Sequence, residues 1–579
     1  MLRPLLSISL AVLLCVPAAR GASMDEWADG YLAQWASFYP TRAFASGKHL
    51  AAAQFEDYAP ERLAQWRAFN LQAGDELAAL EPADDAASRV DRQILARQIG
   101  RELALWEDER PLQTRPAWYA EQVTQALTYL LVNDELTLAQ KREALFARLA
   151  GIRRLCELGR RELVSGNRLR SESALQSLQA SAAFFRDALP ALLPDDGEPT
   201  GRDTLAFAAT ATADAVLALR QHIATRVLPA ATASPSMGEP RYGLLLNWRS
   251  GGRLTPDVLA MSALEEIGEV RELMLVAARD WWQQRRGSSA GIPADDALLA
   301  EALSAMEQDR ADNPASFLQQ FTGLTAAAER FVRQRQLATV PEPTTLYIAS
   351  SPDHFAGAAV GGVYPAGPYA PQSDTLFYLP SIAGDASPEA AEGFYRSFNE
   401  HFNTMIISHE MFPGHYLQYK VAVTHAPPLR SIFADGAYVE GWGSFSEELM
   451  LQAGWGDNDP LTWLAHYRKR LENATRSYLS VMVHTRDWDQ EQVSRFAVER
   501  GLLAPQFAVN LWQRVVHSPM QLTDYFVGYR QFRQLWQEQR RLEGDSFDQR
   551  RLVDAVLQAG PVPVPDLPLL LNATMTEEP

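Results

Sequence analysis

The 579-residue sequence is poor in cysteine, with two residues in all, Cys15 and Cys156. That excludes a disulfide-stapled scaffold and any cysteine-rich zinc site. Basic charge is also in deficit, since 53 Lys+Arg against 71 Asp+Glu leave a formal net charge of −18. A chain of that balance is not a general binder of nucleic acid or of anionic membranes, whose phosphates call for basic surfaces. No GxSxG string occurs, so a serine-hydrolase elbow has no support, and neither a P-loop nor a dinucleotide-binding glycine fingerprint is present. Beyond the first residues no uncharged apolar run approaches the roughly 20 residues needed to span a bilayer. What remains is a composition of 47% hydrophobic and 21% charged residues, which supports a packed globular protein rather than a disordered one. The length exceeds one ordinary domain and fits two to four compact units or one large fold with two halves.

The N-terminus has the layout of a secretory signal. Arg3 precedes an apolar run from Leu5 to Val16, and a small-residue stretch, Pro17 to Ser23, comes before the first acid, Asp25. The run is short for a membrane anchor. Cleavage near Gly21 to Ser23 removes Cys15, leaves Cys156 alone, and takes Arg3 and Arg20 with it. A lipid on Cys15 is disfavoured, because Leu14 stands where a small residue is expected. The expectation is an exported protein, periplasmic or secreted, with residues 1–23 as the signal and no membrane span in the mature chain.

From Asp25 to about Gln336 the sequence reads as successive helices, with apolar residues at i, i+3, i+4 and i+7 in stretches such as Val123–Leu131, Lys141–Glu157 and Ser173–Leu189. Between Val340 and Pro380 the texture changes. Thr345–Ala349 and Thr375–Leu379 are β-prone and flank a segment rich in Gly, Pro, Ala and Tyr, from Gly357 to Pro371. Helical texture returns near Glu389. Seven of the ten histidines then fall between His401 and His517. The expected organisation is a helical scaffold half over 24–340 and a site-bearing half over 341–579.

The chemistry concentrates in residues 409–420, HEMFPGHYLQYK. In the familiar zinc-protease helix, HExxH, two histidines four apart share one face and the intervening Glu acts as base. Here His415 follows His409 by six residues, which on a straight helix turns the two about 120° apart. Pro413 and Gly414 lie between them, where the helix can widen or kink and so re-aim His415. His409 and His415 are therefore candidate ligands, and Glu410 a candidate base. A zinc site of this kind needs a third ligand and an open position for water. The segment 438–449, YVEGWGSFSEEL, places Glu440, Ser444 and Glu447 on one helix face. Glu440 is the preferred third ligand. Glu447 is the alternative, or else a group that holds a ligand histidine from behind, with Ser444 beside it.

HEMFPGHYLQ followed by VEGWGSFSEEL resembles the bacterial family called domain of unknown function 885, which pairs HExxPGH with an EGW motif and is placed among gluzincin-type metallopeptidases. The segments around Trp27–Gly47 and His484 and the string SPMQLTDYFVGYRQF resemble it too. More distantly, the HEM, GHYLQYK and HSPMQLTDYFVGY pieces resemble angiotensin-converting enzyme. The resemblance implies a mainly α, large two-lobed fold with a deep central cleft and a small β-sheet near the active site. It implies one Zn2+ per chain on His409, His415 and Glu440, with Glu410 as general base and Tyr525 steadying an oxyanion. His484 and His517 are further candidates, His517 at a shorter spacing to Tyr525 than in the converting-enzyme pattern. The function implied is hydrolysis of short peptides. Two other readings stay open: a catalytically inactive protein that binds a peptide or another ligand on the same fold, and a metal-dependent hydrolase of a non-peptide amide or ester.

Overall fold

The computed structural model describes residues 23–575, apart from 82–84, 194–200, 253, 288–290, 352–361, 383 and 385. Residues 1–22 of the expected signal peptide, Cys15 among them, lie outside the described residues, as does the first part of the Gly357–Pro371 segment. The chain is mainly helical, with one small sheet.

The N-terminal stretch forms the helices its periodicity calls for. Pro116–Val132 and Leu138–Glu162 bury Val123, Leu127 and Leu130 on one and Leu145, Leu149 and Ile152 on the other. Their ends follow the capping rules. Thr137 accepts a hydrogen bond from the backbone N–H of Gln140, whose side chain returns to Thr137. The first helix, Met24–Phe38, opens on the same box formed by Ser23 and Glu26.

The two β-prone segments are strands β1 (Leu346–Ser350) and β3 (Thr375–Leu379), joined in one sheet by β2 (Gly362–Tyr364). The order is β1-β3-β2. β1 runs parallel to β3, with Ile348 opposite Phe377, and β2 runs antiparallel, with Val363 opposite Phe377. The parallel pair explains the long connection between the two strands, since such a crossover cannot be made by a tight turn. β3 is the central strand and the one that alternates buried positions.

The largest apolar cluster joins both sides of residue 340. It runs from Trp27 through Val332 and on to Phe377, Trp442 and Leu571. A second cluster packs Tyr242 to Met306 against Leu464, Ala474 and Phe526. Both clusters draw on the 400–543 region, in which the candidate residues sit. Four helices there matter most: Glu400–Glu410, His415–His425, Gly436–Gln452 and Pro519–Glu543. The last two cross at Gly441 and Gly528, where a Cβ on Gly441 would lie 2.4 Å from the Gly528 backbone. Only glycine permits that approach, and it brings Tyr525 alongside Glu440.

Candidate metal centre

The HExxPGH string is two helices rather than one distorted helix. Asn399 caps the first by accepting from the Phe402 backbone N–H, and this helix ends at Glu410. The second begins at His415. Residues 411–414 turn the chain between them. The turn is tight: a Cβ on Gly414 would stand 1.9 Å from the carbonyl oxygen of His409. The widened or kinked helix that the spacing suggests is thus a complete break, and proline supplies it by removing the backbone donor that would continue the ladder. The consequence is the one the chemistry needs. The two imidazole centroids come within 4.7 Å, nearly perpendicular at 85°.

Trp442 fixes this turn from the neighbouring helix. Its indole N–H donates to the carbonyl of Pro413 at 2.9 Å, with the whole side chain buried. Gly443, the next residue, makes room for the ligand, since a Cβ there would lie 2.7 Å from the His409 ring. Ser446 adds a hydrogen bond of 2.7 Å to the carbonyl of Ser408. The EGWG string therefore has one task per residue. Glu440 offers a carboxylate, Gly441 admits the Pro519–Glu543 helix, Trp442 holds the Pro413 turn, and Gly443 admits His409.

The Nε2 atoms of His409 and His415 each lie 3.6 Å from the same Glu440 oxygen, Oε2. All three ligand atoms fall within 4.8 Å of one another. Two donors on one tetrahedral zinc at about 2.05 Å stand about 3.4 Å apart, so the set fits that ion with little adjustment. The other ring nitrogens decide which atom is free. His409 Nδ1 is 2.9 Å from Glu447 Oε1, and His415 Nδ1 is 3.2 Å from Gln418 Oε1. Both acceptors hold an Nδ1–H and leave the Nε2 atoms turned to Glu440, where a metal can displace any proton they carry, which is how a metal-binding imidazole is prepared. Glu447 thus stands behind the histidine, and Glu440 is the carboxylate among the ligand atoms. Glu447 also accepts from His466 Nδ1 at 2.9 Å.

The electrostatics match this division. Glu447 is buried, which by itself would raise its pKa, but hydrogen bonds from His409 and His466 bring it down to about 2. Glu440 is driven below the usual carboxylate range by His409 and His415 against the same opposing effect of burial. Burial alone would disfavour a charged His409, yet Glu440, Glu447 and Glu410 together raise its pKa to about 10. Three carboxylates around two imidazoles form an environment suited to a dication.

His409 and His415 are buried, whereas Glu410, Glu440, Tyr419 and Tyr525 are partly exposed. The ligand nitrogens form the floor and these groups the rim. The Tyr525 ring lies 6.2 Å from that of His409, and its hydroxyl accepts from Gln521 Nε2 at 2.9 Å. Gln521 also reaches Glu440 Oε1, at 3.4 Å. Burial first, and then the charge of Glu440, keep the Tyr525 phenol protonated by raising its pKa.

Two expected residues are placed elsewhere. His484 is fully buried, with Nε2 2.9 Å from the carbonyl of Val515 and its ring stacked on Tyr242. Burial lowers its pKa to about 4, so it is a neutral core histidine whose contacts include none of the three ligand residues. Its candidacy as a site residue has no support in that placement. His517 is half-buried at the end of the Pro505–His517 helix. It lines a cavity of about 570 Å³ together with Arg115, Arg170, Arg241, Arg249 and Gln521. Gln521 in that wall is the residue that also reaches Glu440. Ser444 is buried, and its hydroxyl has no partner among the described residues. Sequence reasoning missed His466, Gln418 and Gln521, and gave Trp442 no role. The EGW motif carried a signal for Trp442. His466 carried none, because its partner is 19 residues away on another helix.

Residues 40–570 match the family described as bacterial protein of unknown function, DUF885. The chain belongs to that family. No curated protein matches it. Among solved structures it is similar to one described as "a putative lipoprotein of unknown function from Shewanella oneidensis", at 21% identity and a TM-score of 0.78, covering 96% of this chain and 100% of that one. It is also similar to "the putative lipoprotein from Colwellia psychrerythraea", at 16% identity and a TM-score of 0.73, again over 96% and 100%. At these identities the likeness establishes the fold. Neither comparison supports the gluzincin or converting-enzyme resemblance. Both neighbours are described as lipoproteins; the expectation that Cys15 carries no lipid lies outside the described residues. Among the described residues no helix is long and apolar enough to cross a membrane.

Proposed function

We propose that this chain is an exported zinc-dependent peptidase of gluzincin type, acting on short peptides in a cleft between helical halves. The observation that carries the reading is the convergence of His409 Nε2, His415 Nε2 and Glu440 Oε2, with both Nδ1 atoms already engaged. These three side chains would hold the ion. When bound, zinc supplies Lewis acidity, polarising a carbonyl and lowering the pKa of water toward about 7.

The remaining work belongs to the chain. Glu410 follows His409 directly and closes the same helix, partly exposed at the rim, so its carboxylate is the base that takes a proton from the attacking water and returns it to the leaving amine. The Tyr525 phenol, kept protonated by its surroundings, donates to the oxygen that gains charge. One such donor is typically worth about 3 kcal/mol in the transition state. Gln521 orients that phenol through its 2.9 Å hydrogen bond. Export belongs to the same proposal, and the lipoprotein descriptions of both structural neighbours favour weighing lipid attachment at Cys15 as the alternative to cleavage near 21–23, which would remove that residue.

The test is metal analysis together with Glu410→Gln. The purified protein should contain about one zinc per chain, and digestion of a peptide library read by mass spectrometry should show cleavage. Glu410→Gln should keep the zinc and lose the cleavage. A protein that takes up zinc and cleaves nothing would be the inactive binder. One that cleaves only amides or esters outside peptides would be the other hydrolase.

A further inference from the structure

The small sheet packs on the core with one face and turns the other to a cavity. Ile348, Val363 and Phe377 belong to the main apolar cluster, where Phe377 stacks on Phe321 at 5.4 Å. Side chains alternate along a strand, so the neighbours of these three share the opposite face. On it Tyr347 and Tyr364 flank Leu376, while Ala349 and Gly362 flank Tyr378. This face borders a cavity of about 430 Å³ whose lining also includes Tyr129. Tyr364 meets both Tyr129 and Tyr378 edge to face, each at 5.7 Å. A Cβ on Gly362 would find nothing within 4 Å, so room is left beside the Tyr378 ring.

The rim of this cavity is acidic. Asp134, Glu135 and Asp374 line it and are exposed. Among the described lining residues the one basic side chain is His49, which pairs with Glu135 at 3.2 Å. Lys141 and Lys420 lie near Asp134 and Asp374 but outside the lining. Each is turned to a backbone carbonyl, Lys141 Nζ to that of Asn133 at 2.5 Å and Lys420 Nζ to that of Pro371 at 2.8 Å. Tyrosine rings within and carboxylates at the rim suit a cation on an apolar stem, because ring faces attract positive charge and the stem covers apolar surface. The walls are fixed in advance. The Tyr369 backbone N–H donates to the Ser46 carbonyl at 3.0 Å, and a Cβ on Gly367 would stand 2.2 Å from that carbonyl carbon. The pocket adjoins the metal centre on the His415 side. The Tyr419 ring lies 5.9 Å from that of His415, and burial, then Glu440 and Tyr129, raise the pKa of its phenol.

We infer that the tyrosine-lined pocket on the open face of the sheet receives the guanidinium or ammonium head of a basic side chain, and that it selects peptides with arginine or lysine near the bond cleaved. The inference rests on the peptidase reading for its cleavage part alone; the binding part stands on the pocket. The free N-terminal amine of a peptide offers the same chemistry as a lysine head, and the experiment separates the two.

The probes are alanine pentapeptides blocked by acetyl and amide groups, with arginine, lysine, norleucine or phenylalanine as the central residue. A further probe is the all-alanine amide with a free N-terminus. Alanine on both sides lets each peptide slide into register. Binding to the zinc-loaded Glu410→Gln protein is measured by calorimetry, and cleavage by the active protein is followed by mass spectrometry. The arginine and lysine peptides should bind about 10- to 100-fold more tightly than the norleucine peptide, the range of a desolvated cation over aromatic rings with a carboxylate nearby. Tyr364→Leu should shrink that preference to about twofold, since it removes the ring between Tyr129 and Tyr378. Asp374→Asn, at an exposed position, should also reduce it and guards against misfolding of the first variant. Equal binding of the arginine and norleucine peptides overturns the inference, whether or not cleavage occurs. Phenylalanine bound as tightly as arginine overturns the cationic assignment. A free-amine alanine peptide that matches the arginine peptide overturns the side-chain assignment. Preferential binding of arginine without any cleavage by the active protein sinks the peptidase reading and leaves the pocket standing.

Discussion

Replacing Glu447 by glutamine should weaken zinc binding without removing a ligand. Glu447 is 1% exposed and accepts from Nδ1 of both His409 and His466, each at 2.9 Å. A carboxylate can accept twice, whereas a carboxamide of the same shape offers one acceptor and one donor. With the amide oxygen toward His409, the NH2 group faces the Nδ1–H of His466. That ring must then shift its proton to Nε2, an atom with no partner among the described residues. A buried donor left in that state costs about 1–3 kcal/mol. With the amide reversed, His409 itself must carry its proton on Nε2, and the lone pair meant for the metal is lost. Either choice also removes the negative charge behind the ligand. Changes to such supporting groups typically cost 10- to 100-fold in metal affinity, or about 1.4–2.8 kcal/mol. Competition with a chromophoric chelator at neutral pH would measure it. Glu448→Gln is the comparison, because Glu448 takes its hydrogen bond from Tyr529 and touches neither histidine. A Glu447→Gln protein that holds zinc within twofold of the parent would refute the role assigned to this carboxylate.

Three further outcomes are expected. Gly443→Ala puts a methyl 2.7 Å from the His409 ring, so the folded protein should lose zinc while its far-ultraviolet circular dichroism stays unchanged. Trp442→Phe leaves the Pro413 carbonyl without its donor at a buried site, and should lower stability by about 1–3 kcal/mol in denaturant titration. His484 has a folded pKa of about 4, depressed below its unfolded value of 6.5 by burial. Its contribution to stability is therefore complete above pH 6.5 and falls away as the pH drops toward 4, by about 3 kcal/mol in all. Melting curves of the parent and of His484→Gln should converge over that window, and parallel curves would count against the assignment.

The helical scaffold was legible in the sequence because amphipathic periodicity is a local property. Lys141–Glu157 shows its apolar face without reference to any other segment, and the helix found there buries that face. The two β-prone runs were legible for the same reason, and β1 and β3 occupy nearly the residues expected. Their parallel pairing was not legible, and neither was the short strand β2, since pairing depends on what lies opposite. His409, Glu410, His415 and Glu440 could be named from motif chemistry. Tyr525 was named from resemblance, and the crossing at Gly441 and Gly528 gives a physical reason for its position beside Glu440. The same resemblance brought in His484, which the fold buries against Val515. A string of residues near a motif does not say which side of its helix faces the site.

The sequence by itself determined the donor set. With two cysteines, one of them in the N-terminal apolar stretch, any metal would have to be held by nitrogen and oxygen, and the proline between the histidines marked the point where their helix departs from regularity. Only the tertiary structure decided which carboxylate lies among the ligand atoms and which stands behind. Glu440 and Glu447 are two turns apart on one helix face, and period alone makes them equivalent. The Pro413 turn, held by Trp442, points both Nε2 atoms at Glu440, while His466 arrives from another helix to share Glu447. That choice depends on the angles between packed helices, which long-range contacts set and no local pattern records.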